Sequence, residues 1–165
     1  MNPVTASFVS ELNREASATR HILSGVPLEQ SDWQPHVKSM KLGRLATHVA
    51  DLFGWVKITL EQDELDFATA DFKHFTPTSS EELLAYFEEK LSEAQSILAN
   101  CTDAKLDEPW TMRSADQIYF TQPKGEVLRH WCFNHLVHHR AQLGVYLRLL
   151  DVIIPMSYGP TADHK

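Results

Sequence analysis

The sequence predicts an all-α fold: a four-helix bundle with long inter-helix loops, forming one domain over residues 1–165. Three observations carry that prediction. Four long stretches place their apolar residues at helical rather than strand spacing. Several of their ends carry start or stop signals. A chain of 165 residues has the length of one domain and can bury a core without covalent or metal staples. Amphipathic helices must bury their stripes, and four of them in one domain bury them against each other.

The first helix opens at Asn2, a capping residue, with Pro3 in the first helical position. Phe8, Leu12, Ala16 and Thr19, flanked by Val9, Ile22 and Leu23, form its face, and Gly25 and Pro27 end it. Residues 28–41 hold Trp33, Pro35 and Met40 with little periodicity and read as a packed loop. The second helix covers about residues 42–60, with Leu45, His48, Leu52, Trp55, Val56 and Thr59 on its stripe and Arg44 and Asp51 flanking it. A loop rich in Asp, Phe and Thr follows over residues 61–79. Thr78 or Ser79 ahead of Glu81 and Glu82 has capping-box spacing and starts the third helix. Its face, Leu83, Leu84, Phe87, Leu91, Ala94, Ile97 and Leu98, runs to about residue 100. Residues 102–122 are irregular and apolar, a loop with room for a short strand pair, in which Trp110 or Phe120 could line a cavity. The fourth helix covers about residues 123–152, and the Pro- and Gly-containing tail after it cannot continue the helix.

The formal charge of −7 argues against nucleic acid phosphate or an anionic membrane as a partner, and no Lys/Arg run overrides it. No basic stretch followed by an apolar run opens the chain, and no apolar run approaches membrane-spanning length. Two cysteines, Cys101 and Cys132, read as free thiols in a reducing compartment. A cytoplasmic protein is the expectation.

Chemistry is concentrated in the fourth helix, at residues 134–143. His135 and His139 stand four apart and so stack on one side. Counting about 100° per residue, they share an apolar stripe with Leu128, Trp131, Cys132, Gln142, Leu143, Tyr146, Leu149 and Leu150. Imidazoles on a core-facing stripe need partners, because a buried polar group without one costs about 1–3 kcal/mol. His48, on the core face of the second helix, is the candidate third member. Three imidazole nitrogens with open positions suit zinc, nickel, iron or manganese. The competing reading is a set of core histidines that only hydrogen-bond. His130 and His138 read as surface residues, and His21, His36, His74 and His164 form no arrangement. Cys132 could be a ligand or a nucleophile, but on that stripe a core role is favoured. No His-Glu-x-x-His, Glu-x-x-His, Gly-x-Ser-x-Gly, phosphate-binding Gly-rich loop or Cys-x-x-Cys is present.

Three stretches resemble the DinB/YfiT-like metalloenzyme family. They are Gly43-x-Leu45-x-x-His48-Val49, His135-x-x-x-His139-Arg140-Ala141-Gln142, and the tail Pro155-x-x-Tyr158-Gly159-Pro160-Thr161-Ala162-Asp163. Ala141 stands where the family commonly has Gly, Thr161 where it has Ser, and His164 where an acid often ends the tail. The resemblance implies a four-helix bundle, often a homodimer, whose His48, His135 and His139 hold a divalent metal, zinc or nickel foremost. It also implies a small-molecule substrate and a thiol S-transferase or isomerase type of reaction, with a low-molecular-weight thiol as cosubstrate. The alternative is a non-catalytic, stress-related metal-binding protein with the same site. Arg140 and Gln142 would either orient ligands or brace a dimer.

Overall fold

The computed structural model describes residues 3–72 and 74–164. Helix α1 (Pro3–Ser24) buries Phe8, Leu12, Ala16, Thr19, Ile22 and Leu23, the face expected of it. The capping role of Asn2 lies outside the described residues. Helices α2 (Leu42–Asp51) and α3 (Trp55–Glu61) are the predicted second helix, interrupted by a tight 3-10 turn at Leu52–Gly54 that keeps the stripe in place. Helix α4 (Ser80–Ala99) starts as its sequence demands: Ser79 Oγ accepts from the Glu82 backbone N–H (3.2 Å). Glu82 in turn accepts from the Thr78 backbone N–H (2.7 Å), closing the cap one residue earlier than the usual box. Short α5 (Asp103–Leu106) and α6 (Lys124–Val127) flank the strands. A π-helical stretch, Leu128–Asn134, then leads into α7 (His135–Leu149). Helix α1 packs chiefly on α4, α4 on α2 and α3, and α2 on α7, around one main core.

The expectation of an all-α chain is corrected by a three-stranded sheet. Strand β1 (Glu64–Asp66) runs parallel to β2 (Pro109–Ser114), which pairs antiparallel with β3 (Gln117–Pro123). The strand pair lies where the sequence left room for one. The third strand, three residues long, is too short to show a period-2 pattern. The sheet has its own small core of Leu65, Trp110, Met112 and Val127, anchored where the Trp110 indole N–H donates to the Ile58 carbonyl (3.2 Å). Lys124, fully buried, reaches the Asp63 carboxylate at 2.8 Å beside the sheet.

The face counted for the fourth helix also needs correction. Gln142 and Leu149 are exposed, whereas Leu136, Arg140 and Leu147 are buried. Counted from His135 along α7, the buried residues centre near Leu136 and Leu143, about 80–100° round the helix, so Gln142 and Leu149 fall past the edge of the stripe. Helix α7 ends with Asp151 in the left-handed region (φ 57°) and the Val152 N–H bonded to the Leu147 carbonyl (3.0 Å).

The tail folds back and is clamped to α1 through a buried ion pair. Arg140 Nη2 lies 2.6 Å from Glu15 Oε2, and Arg140 Nη1 donates to the Glu15 carbonyl and Thr19 Oγ1. The Tyr158 hydroxyl accepts from Arg140 (2.6 Å) and donates to Glu15 (2.7 Å). Glu15 stands seven residues after Phe8 and so falls on the buried stripe, a position the apolar pattern passed over. Arg148 holds Asp163, which also accepts from the Ile154 N–H.

Removing one partner of a buried pair strands the other charge. Arg140→Ala is therefore expected to lower unfolding free energy by about 3–5 kcal/mol, and Tyr158→Phe by only about 1 kcal/mol. Urea titrations of both variants beside the parent check this; equal losses would show that the ion pair is not what holds the tail.

Candidate metal centre

The site is built where α2 meets the start of α7. The depth of α2 is set at its first turn. There the Leu42 N–H bonds to the Trp33 carbonyl (2.8 Å) and the Gly43 N–H to the Ser31 carbonyl (2.9 Å). A Cβ on residue 43 would stand 2.8 Å from that of Ser31, so only glycine lets the preceding loop press this closely. His48 follows, half-buried, on the face turned to α7. His135 and His139 stack on the facing helix, with His139 buried and His135 half-buried.

The three imidazoles converge. His135 Nε2 lies 2.9 Å from His139 Nε2 and 3.3 Å from His48 Nε2, and one nitrogen from each residue falls within 4.8 Å of the others. Nitrogens at 2.0–2.1 Å from a shared metal would stand about 3.3 Å apart in a tetrahedral set and about 2.9 Å apart in an octahedral one. The His135–His139 spacing matches the octahedral value and the His48–His135 spacing the tetrahedral one.

The far sides of two rings are tied. His139 Nδ1–H donates to Gln142 Oε1 (2.7 Å), and His135 Nδ1–H points at the Trp131 carbonyl (3.3 Å). An oxygen acceptor fixes the proton on Nδ1, so Nε2 of each ring carries a lone pair. Two lone pairs facing at 2.9 Å repel each other unless a cation lies between them. The π stretch diverts the usual α-helical bond from the Trp131 carbonyl: the His135 backbone N–H bonds to the Cys132 and His130 carbonyls, three and five residues back.

The electrostatics agree with ligand chemistry. Burial pushes the His48 imidazole down to about 3, helped by the neighbouring His139 and His135 rings and by Arg44. Burial also lowers His135 and His139. All three are therefore neutral near pH 7, the form that ligates. Beside them opens a pocket of about 540 Å³ lined by Phe120, Gln122, His130, Trp131, His135 and His138. Phe120 and Trp131 stack in it, with centroids 5.9 Å apart.

The other sequence candidates fall elsewhere. Cys132 is fully buried, bonded to the Leu52 carbonyl, and burial pushes its thiol up, so it belongs to the core. Arg140 turns away from the histidines into the tail clamp. Gln142 bridges His139 and, through its amide nitrogen, His138 (3.1 Å). His21, His36, His74, His130, His138 and His164 are exposed. The Trp131 carbonyl had no signal in the sequence, since backbone partners leave no side-chain trace.

The sequence model of the DinB family matches residues 1–165. The chain belongs to the DinB family. Its relatives include the uncharacterized Bacillus subtilis protein YrdA, 26% identical over 157 residues that span 94% of this chain and 89% of that one. Two crystal structures of DinB-like proteins share the fold. One, from Bacillus subtilis, has a TM-score of 0.70 at 18% identity, covering 94% of this chain and 98% of that one. The other, from Bacillus cereus, has a TM-score of 0.71 at 21% identity, covering 92% and 95%. The DinB-like bundle, with a three-histidine cluster that could bind a metal, is thus the frame for any reading of function. Among the described residues no helix is long and apolar enough to cross a membrane.

Gln142→Leu removes the acceptor that orients His139, and metal affinity measured by competition with a chelator dye is expected to fall about 10–100-fold; unchanged affinity would show that Gln142 does not set the ring. Acid exposes the cost of burying His48. The unfolded chain takes this proton near 6.5 and the folded chain only near 3, so between those values the unfolded state binds more protons. Stability of the metal-free protein should fall as pH drops through that window, and fall less in His48→Ala. Parallel slopes of urea midpoint against pH in the two proteins would contradict this.

Proposed function

We propose that this DinB-family protein is a divalent-metal-dependent enzyme acting on a small molecule, of the thiol S-transferase or isomerase type, with His48, His135 and His139 as ligands. One observation carries the reading: three neutral imidazoles converge on a common point, and two of them have their other nitrogen tied to an oxygen acceptor. Zinc or nickel suits this donor set, and iron or manganese accepts the same nitrogens. Bound there, such an ion would supply a Lewis-acidic position at which a thiol or water loses its proton near neutral pH.

The chain's own residues have separate tasks in this reading. Phe120 and Trp131 form an apolar wall beside His135, against which the carbon skeleton of a substrate packs and from which water is displaced. His130 and His138, exposed on the same pocket, are placed to take or return a proton at a ring nitrogen. Gln142 holds the His139 ring in its ligating orientation. A low-molecular-weight thiol is the cosubstrate. A homodimer in the cytoplasm belongs to the same proposal, supported by two free cysteines and by the exposed apolar side chains of Val145, Leu149, Ile153 and Met156.

Elemental analysis of untagged protein purified without chelator is the first test. Roughly one ion per chain in the parent and none in His48→Ala is expected. The loaded parent should then consume a small thiol in the presence of 1-chloro-2,4-dinitrobenzene. Metal without thiol turnover would favour a non-catalytic metal-binding protein, and no metal in either protein would remove the basis for calling it an enzyme.

A further inference from the structure

The pocket that opens beside His135 has two walls. Strand β3 presents Phe120 and Gln122, two residues apart and so on one face of the strand. The facing helical segment presents Trp131 and His135 along one row and His130, Asn134 and His138 along the next, each row at four-residue spacing. The chain has 15 basic and 22 acidic side chains, and among the described residues none of them lines this pocket. Its polar groups are imidazoles and two amides. Among the described residues the side-chain amides of Gln122 and Asn134 make no hydrogen bond, so each keeps a donor and an acceptor for a ligand. Phe120 and Trp131, both half-buried, lie 16° from parallel with centroids 5.9 Å apart. Ring planes in contact are about 3.5–4 Å apart. The pair is therefore offset sideways, and part of each face stays uncovered.

A charged group placed here would exchange water for an aromatic wall, with no carboxylate, ammonium or guanidinium lining the pocket to pair with it. A flat ring loses little by the same exchange and gains contact with the uncovered faces of Phe120 and Trp131. We propose that the substrate of this centre is an uncharged aromatic compound: its ring lies on Phe120 and Trp131, and Gln122 and Asn134 bind a carbonyl or amide substituent on it. The inference rests on the metal reading above, in which the thiolate of the cosubstrate meets the charge of the ion, and deepens it by naming the substrate class.

Three ligands separate the contributions: 4-nitrobenzamide, its anionic counterpart 4-nitrobenzoate, and the non-aromatic cyclohexanecarboxamide. Each is titrated near neutral pH into metal-free protein and into zinc-loaded protein with excess 2-mercaptoethanol. Binding is followed by the indole N–H resonance of Trp131, identified with Trp131→Phe. In both forms 4-nitrobenzamide is expected to bind about tenfold more tightly than either of the others. Gln122→Leu should weaken the amide by about 2–10-fold, and Phe120→Ala should remove most of the preference for the aromatic ring. Benzoate bound as tightly as benzamide in the metal-free protein, or titrations that leave Trp131 unmoved, would overturn the inference, and zinc uptake in the same samples would leave the metal reading standing. Failure of the parent to take up zinc would overturn the metal reading and, with it, the status of the compound as a substrate.

Discussion

Three imidazole nitrogens must be held within 4.8 Å of one another by two helices, with His48 and His135 87 residues apart in the chain, and the local structure around them answers to that requirement. On one side, glycine at position 43 allows a loop to lock the first turn of α2 and so set the depth of His48. On the other, the π stretch before His135 diverts a backbone hydrogen bond and leaves the Trp131 carbonyl for a ring N–H. Gln142 does the same for His139 from one turn further on. The last two devices fix tautomers, turning the lone pairs of His135 and His139 inward. Such a set is unfavourable by itself and becomes favourable around a cation.

The same helix that carries two of the histidines also carries Arg140, and the two functions point in different directions. His139 faces α2, while Arg140, the next residue, enters a buried network with Glu15, Thr19 and Tyr158. That network ties the tail to α1 and restrains the rotation of α7. A buried pair is costly to desolvate, and here each charge is met by further hydrogen bonds, from Thr19 and the Glu15 carbonyl on Arg140 and from Tyr158 on Glu15.

The small sheet has a comparable relation to the site. Strand β3 delivers Phe120 to the face of Trp131, which stacks in turn on Trp55 (5.7 Å). Trp55 belongs to the same interrupted helix as His48. An aromatic row thus runs from the sheet, beneath the pocket, to the helix pair that carries the histidines. The segment that lacked a clear pattern in the sequence supplies the pocket with its apolar wall.

The sequence by itself determined the helical bundle, because apolar side chains at 3.6-residue spacing have one way to be buried together. It also determined which histidines share faces, since His48 and the His135–His139 pair lie on the stripes of two helices that pack in one core. Fixed spacing was enough for those inferences. The sheet, the π stretch and the burial of Glu15 and Arg140 were decided by tertiary structure. A three-residue strand exists only through its partner. Neighbouring elements set where a buried stripe centres, so Gln142 and Leu149, inside a stripe centred on His135, are exposed in the fold, where it centres near Leu136 and Leu143. A charged pair is admitted to a core only when both members arrive together, and their 125-residue separation leaves no local mark on the chain.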